Sequence, residues 1–129
     1  MNLQEQIFLT GSFKTWMGAD GIARSVVLKN ATIDLEEAVK NSKAVNDLYM
    51  DKKFPLLIDI TAIHTITRDA RAHFAVKNRE TNISCFAIVT NSELGKIIGN
   101  FFFLLNSPDV PAKMFTDEVQ AIQWLTNWL

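Results

Sequence analysis

Five residues of one short stretch, Asp59, Thr61, Thr67, Arg68 and Asp69, put a carboxylate beside hydroxyls and a guanidinium within eleven positions. A carboxylate so placed can hold a ligand, act in catalysis or cap local backbone. Asp59 lies near the end of an apolar run, Pro55-Leu56-Leu57-Ile58-Asp59-Ile60. A charge taken out of water without partners is strongly unfavourable, so Asp59 must be hydrogen-bonded, exposed or protonated. The simplest expectation is that it accepts backbone N–H groups of the following loop, as Asp does in Asx turns. A ligand-holding or catalytic carboxylate is the alternative.

Other reactive side chains are sparse. His64 and His73 stand nine residues apart with no Cys or second His pair at ligand spacing, so no metal site is expected. Cys85 is the single cysteine. It cannot form an internal disulfide, and its apolar surroundings read as a buried structural thiol in a reducing compartment. Asp34, Glu36 and Glu37 crowd a helix start, where capping accounts for them. The five glycines are scattered, and neither a glycine-rich phosphate loop nor a GxSxG elbow occurs. No catalytic residue, cofactor or metal follows, and the chain reads as non-enzymatic.

The elements that position these residues follow from periodicity. Residues 7–17 read as extended, Gly18-Ala19-Asp20-Gly21 as a turn, and 22–28 as a second alternating strand, together an antiparallel hairpin at a sheet edge. Asp34 is the expected N-cap of a helix, with Glu37 completing a capping box. Leu35, Ala38, Val39, Ser42, Val45, Leu48 and Tyr49 would form its apolar face. The run 55–60 reads as a strand buried on both faces, as in a parallel sheet. Residues 61–66 lead by a loop to a helix capped by Thr67, with Ala70, Phe74 and Val76 on its apolar side. Residues 83–90 form a second buried strand parallel to the first. Asn91 or Ser92 caps a very apolar helix, 93–105, and residues 106–111 make the turn that ends it. A short edge strand, 112–115, precedes a last helix opened by Thr116-Asp117-Glu118, whose stripe is Val119, Ile122, Leu125, Trp128 and Leu129. The expected architecture is α/β: a mixed sheet of 4–5 strands with an N-terminal antiparallel hairpin and four βα units, 22–49, 55–78, 83–105 and 112–129, with helices mainly on one face.

Composition bounds the function classes. The chain has 129 residues, 48% of them hydrophobic and 21% charged, enough for one domain, 1–129, with a sizeable core. A net charge of -1 offers no global attraction to nucleic acid or to an anionic membrane. No apolar run is long enough for a membrane span, and Met1–Gln6 has neither the basic start nor the apolar core of a secretory signal, so a cytoplasmic location is expected.

The stretch Leu57-Ile58-Asp59-Ile60-Thr61-Ala62-Ile63, followed by a helix, resembles the central strand and switch loop of the anti-anti-sigma (STAS) domain. Gly99-Asn100-Phe101-Phe102 with Leu105-Asn106, and Phe115-Thr116-Asp117-Glu118 with Ala121 and Trp124-Leu125, resemble a family of small bacterial STAS/Sec14-like, or SpoIIAA-like, proteins. The similarity spans roughly residues 13–127. It implies a βα superhelix of four turns, and a role as a regulatory binding module or as a holder of lipid-like ligands. The phospho-acceptor motif of the anti-anti-sigma proteins, Asp-Ser-Ser/Thr-Gly, falls on Thr67-Arg68-Asp69-Ala70. The acceptor positions therefore hold Arg68 and Asp69, which have no hydroxyl, and the resemblance implies a domain without the usual phospho-switch.

Helix 93–105 raises a further expectation. On a helical wheel Leu94, Ile97, Ile98, Phe101, Leu104 and Leu105 form the stripe that would face the sheet. Phe102 flanks it, and Phe103 points the other way with Gly95 and Gly99. Glycine permits close backbone approach, so another element, a second subunit or a ligand is expected against Phe102, Phe103, Gly95 and Gly99, with Phe103 substantially buried. Two function classes stand side by side. One is a regulatory or protein-interaction module of STAS type, with an unidentified protein partner or a second copy as a homodimer. The other is a Sec14-like carrier or sensor of an apolar small molecule. An open apolar face favours the first and an enclosed apolar pocket the second.

Overall fold

The computed structural model describes residues 7–48, 52–74, 82–105 and 109–129. The expectations for Tyr49, Val76 and residues 106–108 lie outside these residues, as do those for the side chains of Leu104 and Leu105. The chain runs β1 (Ile7–Leu9), β2 (Phe13–Met17), β3 (Ala23–Val27), β4 (Ala31–Ile33), α1 (Leu35–Asp47), β5 (Phe54–Asp59), β6 (Ile63–Ile66), α2 (Arg68–Phe74), β7 (Ile83–Val89), α3 (Glu93–Leu105), β8 (Ala112–Phe115) and α4 (Glu118–Thr126).

Six strands form one sheet in the order β1-β2-β3-β5-β7-β8. The first three are antiparallel, and β3, β5, β7 and β8 are mutually parallel. The parallel pair expected from the two apolar runs is the centre of this sheet, with Leu56 beside Phe86 and Ile58 beside Ile88. Strands bordered on both sides and covered on both faces need apolar residues at every position, which is why these runs do not alternate.

Two departures from the sequence reading concern strands. Residues 7–17 are not one strand, because Thr10-Gly11-Ser12 turns the chain. The Thr10 Oγ1 accepts from the backbone N–H groups of Ser12 and Phe13 at 3.2 and 3.0 Å, and β1 folds back so that Ile7 pairs with Trp16. The hydroxyl substitutes for a backbone acceptor, an ST turn that alternation does not reveal. Residues 63–66 are not loop. They pair in parallel with β4 as a separate two-stranded sheet, and the Thr67 N–H continues it by donating to the Ile33 carbonyl at 2.9 Å.

The core lies on both faces of the main sheet. Phe13, Val27, Ile33, Ile63 and Ile88 pack with Ala38 of α1, Ala70 of α2 and Ile98 of α3. Met17, Phe54 and Leu56 extend this side under Val45 and Leu48. On the other face Leu57, Cys85, Ala87 and Val89 meet Ala121 and Leu125 of α4. Among the described residues three helices lie on one face and one on the other, as expected, but the main sheet has six strands rather than 4–5, because the turn at Thr10–Ser12 makes two strands of residues 7–17.

Helix rotations differ in detail. Asp34 caps α1 by accepting the Glu37 N–H at 2.9 Å. The reciprocal half of the capping box is not made. Burial pushes the Glu37 carboxyl up, but the polar groups of Thr10 and Ser12 nearby and the Lys40 charge outweigh it and hold it below the ordinary glutamate range. The buried face of α1 is Ala38, Asn41, Ala44 and Val45, while Leu35 and Val39 turn outward. Asn41 sets that rotation: its Nδ2 donates to Thr15 Oγ1 at 3.0 Å and to Ser25 Oγ at 2.8 Å, and those hydroxyls lie 3.0 Å apart. In α4 Asp117 is the N-cap, Ala121 and Leu125 are buried, and Val119 and Leu129 are exposed rather than part of the packed stripe.

Candidate functional site

The hydroxyls and carboxylates singled out in the sequence serve first as local ties. Asp59 is half-buried at the end of β5, and its Oδ1 accepts the Thr61 N–H at 2.9 Å, the loop cap expected of it. Thr61 Oγ1 in turn lies 3.4 Å from the Asn91 N–H. Ser92 is the residue that caps α3, its Oγ accepting the Gly95 N–H at 3.0 Å, and the buried Thr90 lies directly beneath it. The β5–β6 loop and the start of α3 are thereby joined at the carboxyl end of the parallel strands, where ligands of open α/β sheets gather.

Thr67, Arg68 and Asp69 lie elsewhere. Strand β6 separates them from Asp59 and Thr61. Thr67 Oγ1 caps α2 by accepting the Ala70 N–H at 3.2 Å, and Arg68 and Asp69 are exposed in the first turn. The five residues are thus two groups rather than one constellation. His64 is exposed on β6, whereas the His73 Nε2 is 2.9 Å from Ser42 Oγ, tying α2 to α1. Among the described residues, no group of three or more His, Cys, Asp and Glu side chains is placed to hold a metal ion. Burial pushes the Cys85 thiol up.

Helix α3 overturns the wheel reading. Its sheet side is the glycine side. A Cβ on Gly99 would stand 2.6 Å from Met114 Sδ, and one on Gly95 would collide with Thr90 Oγ1 and come within 2.8 Å of Ser92 Oγ. Ile98, Phe102 and Phe103 pack beside these glycines against the core. Phe103 is half-buried, stacked on Phe86 of the sheet at 6.4 Å between ring centroids and edge-on to Phe102 at 5.5 Å. The close approach inferred from Gly95 and Gly99 is real, but the element that approaches is the protein's own sheet. Leu94, Ile97 and Phe101, expected inside, are 42, 61 and 52% exposed. Glu93, Lys96 and Asn100 give the helix one polar arc, but they leave two apolar flanks, and backbone proximity at the glycines decides which of them is buried.

Leu94, Ile97 and Phe101 recur at i, i+3 and i+7 and share one face. They form an apolar stripe beside the Asp59–Thr61–Asn91 corner, bordered by the exposed Glu93 and Asn100. The side of α3 that the sequence reading gave to an outside partner is the side that packs on the sheet. The signal that could have corrected it was the Gly95–Gly99 spacing itself, read as contact with the sheet rather than with an outside partner.

A groove of about 380 Å³ lies at the opposite end of the sheet, between the β2–β3 turn at Asp20-Gly21, Lys52-Lys53 and the end of the chain at Trp128-Leu129. It contains none of the candidate site residues named from the sequence. No described helix is long and apolar enough to cross a membrane.

Comparison with known proteins places the fold. An uncharacterised protein of the DUF3478 family from Shewanella loihica PV-4, whose fold is SpoIIAA-like, superposes with a TM-score of 0.58 over 93% of this chain and 90% of its own, at 16% identity. The fold is therefore SpoIIAA-like, as the resemblance implied. A protein of unknown function from Arthrobacter sp. FB24 is 32% identical, over 86% of this chain and 96% of its own, with a TM-score of 0.34. No curated protein matches the chain. Residues 15–129 match the family described as a domain of unknown function, DUF7793, and the chain belongs to that family.

Proposed function

We propose that this domain is a non-enzymatic protein-interaction module that docks a partner on the outer face of α3. The observation that carries this reading is the exposed stripe Leu94, Ile97 and Phe101 on a helix already anchored to the sheet. Leaving three such side chains in water forfeits roughly 1.5–3 kcal/mol of burial apiece. Contiguous apolar surface of this kind commonly marks a docking site. A rigid helix face with anchors at i, i+3 and i+7 suits an apolar helix or groove on the partner. The reading includes no phospho-switch, since Thr67 spends its hydroxyl capping α2 and Arg68 and Asp69 offer none. The carrier of an apolar ligand is the less favoured reading, because the apolar surface lies open on α3 and the groove at the other end of the sheet is lined partly by Asp20, Lys52 and Lys53.

The test is affinity purification from the native host with wild-type protein and with an Ile97→Asp, Phe101→Asp variant, alongside native mass spectrometry. A stoichiometric partner lost in the variant, with unchanged circular dichroism, is the expected result. An associated protein retained by the variant, or an apolar ligand carried at full occupancy in its place, would overturn the reading.

A further inference from the structure

We infer that a second copy of this chain pairs along strand β1, joining two sheets about a two-fold axis near Phe8. The observation is an asymmetry between the two edges of the sheet. Among the described residues β1 and β8 are the outermost strands. Strand edges present unpaired N–H and C=O groups, and proteins discourage foreign pairing there with very short strands, proline, lysine or inward charge. The β8 edge carries such protection: Pro111 immediately precedes it and the exposed Lys113 lies within it, its Nζ 5.3 Å from the Phe115 ring centroid. Two copies meeting antiparallel along β8 about Lys113 would bring their lysines together. The β1 edge, Ile7-Phe8-Leu9, is short but has neither proline nor charge.

Strand β1 is also held ready to pair. Phe8 packs into the core beneath the sheet. The Thr10–Ser12 turn fixes its exit, with the Thr10 N–H donating to the Phe13 carbonyl at 2.9 Å. Ile7 and Leu9 point to the opposite face and are 51 and 68% exposed. Among the described residues α4 packs chiefly on β5, β7 and β8, toward the other edge of the sheet from β1 and β2. Antiparallel pairing about Phe8 sets Ile7 of one copy beside Leu9 of the other, twice over. Apolar side chains meet, no like charges oppose, and the contact closes on itself, as an isologous interface must. The occupant that fits is therefore this same strand. The surface is distinct from the α3 stripe and the inference does not depend on it.

Sedimentation velocity over a wide range of protein concentration tests this. Wild type should show a concentration-dependent dimer. Ile7→Lys with Leu9→Lys should abolish it, since lysines then oppose lysines across the axis. Ile7→Glu with Leu9→Lys should restore it, because each introduced carboxylate then faces an introduced ammonium. Both positions are exposed, so all three proteins should share one circular dichroism spectrum and, at concentrations where wild type is monomeric, one melting temperature within error. A wild type that stays monomeric throughout would overturn the inference. So would a dimer that survives the double-lysine change, or one that the charge-paired variant fails to recover.

Discussion

Asn41 is a polar residue that decides a helix rotation. It sits 7% exposed among apolar neighbours, and its amide gives both protons to Thr15 and Ser25 hydroxyls. Removing one partner from a buried polar group exposes the cost of desolvating those left behind. Asn41→Ala should lower unfolding stability by about 1–3 kcal/mol, read from the urea midpoint. Asp20 makes a different kind of contact at the β2–β3 turn, where Arg24 grips both carboxylate oxygens at 2.5 and 2.9 Å. The Arg24 hydrogen bond holds the Asp20 carboxyl below its ordinary value of 3.8, against a smaller opposing effect of burial. A carboxyl whose acidity is strengthened by folding adds stability at pH above that ordinary value, and the contribution disappears as the pH falls through the lower folded-state value. Arg24→Ala should therefore cost about 0.5–1 kcal/mol at pH 7, the range of a partly exposed ion pair. The difference from wild type should narrow in denaturant titrations at successively lower pH, down to the acid limit of the fold.

At the scale of elements, α3 shows glycine used for proximity. Replacing an exposed helical glycine by alanine ordinarily gains about 1 kcal/mol. Gly95 should behave oppositely, since a methyl there meets Thr90 Oγ1 and stands 3.0 Å from Thr90 Cβ, both parts of a buried residue. Gly95→Ala should destabilise by about 1–3 kcal/mol in thermal or urea unfolding, the usual cost of overpacking. Gly99→Ala should cost less, because the atom it meets, Met114 Sδ, belongs to a flexible thioether that can move aside. Equal losses at the two positions would contradict the packing described.

The whole molecule is a sheet whose protection falls from its centre to its edges. Strands β5 and β7 are paired on both sides and covered on both faces, whereas β1 and β8 each have one neighbour. Amide hydrogen exchange should be slowest in residues 56–58 and 86–88, approaching the rate of global unfolding, and fastest among the strands in β1. A dimer joined through β1 would slow exchange at residues 7–9 as protein concentration rises, and leave that of β8 unchanged.

Much of this organisation was legible in the chain. Continuous apolar runs at 55–60 and 83–90 have one stable use, as parallel strands buried on both faces, and that requirement is local enough to read from residue types. The caps at Asp34, Thr67, Ser92 and Asp117, and the loop-tying role of Asp59, follow likewise from short polar side chains next to backbone donors. Which way each helix turns was not legible. An amphipathic pattern fixes rotation only when a single apolar flank faces the polar arc, and in α3 the arc of Glu93, Lys96 and Asn100 has apolar residues on both sides. Its orientation is decided by how closely two glycines let its backbone approach β7 and β8, and that of α1 by an amide reaching hydroxyls 16 and 26 residues away. The pairing of β4 with β6 and the reversal at Thr10–Ser12 likewise depend on which backbone groups meet across the fold. The exposed stripe Leu94, Ile97 and Phe101 exists because tertiary packing gave the inward side of α3 to Gly95 and Gly99, a choice made by distance between backbones rather than by hydrophobicity along the chain.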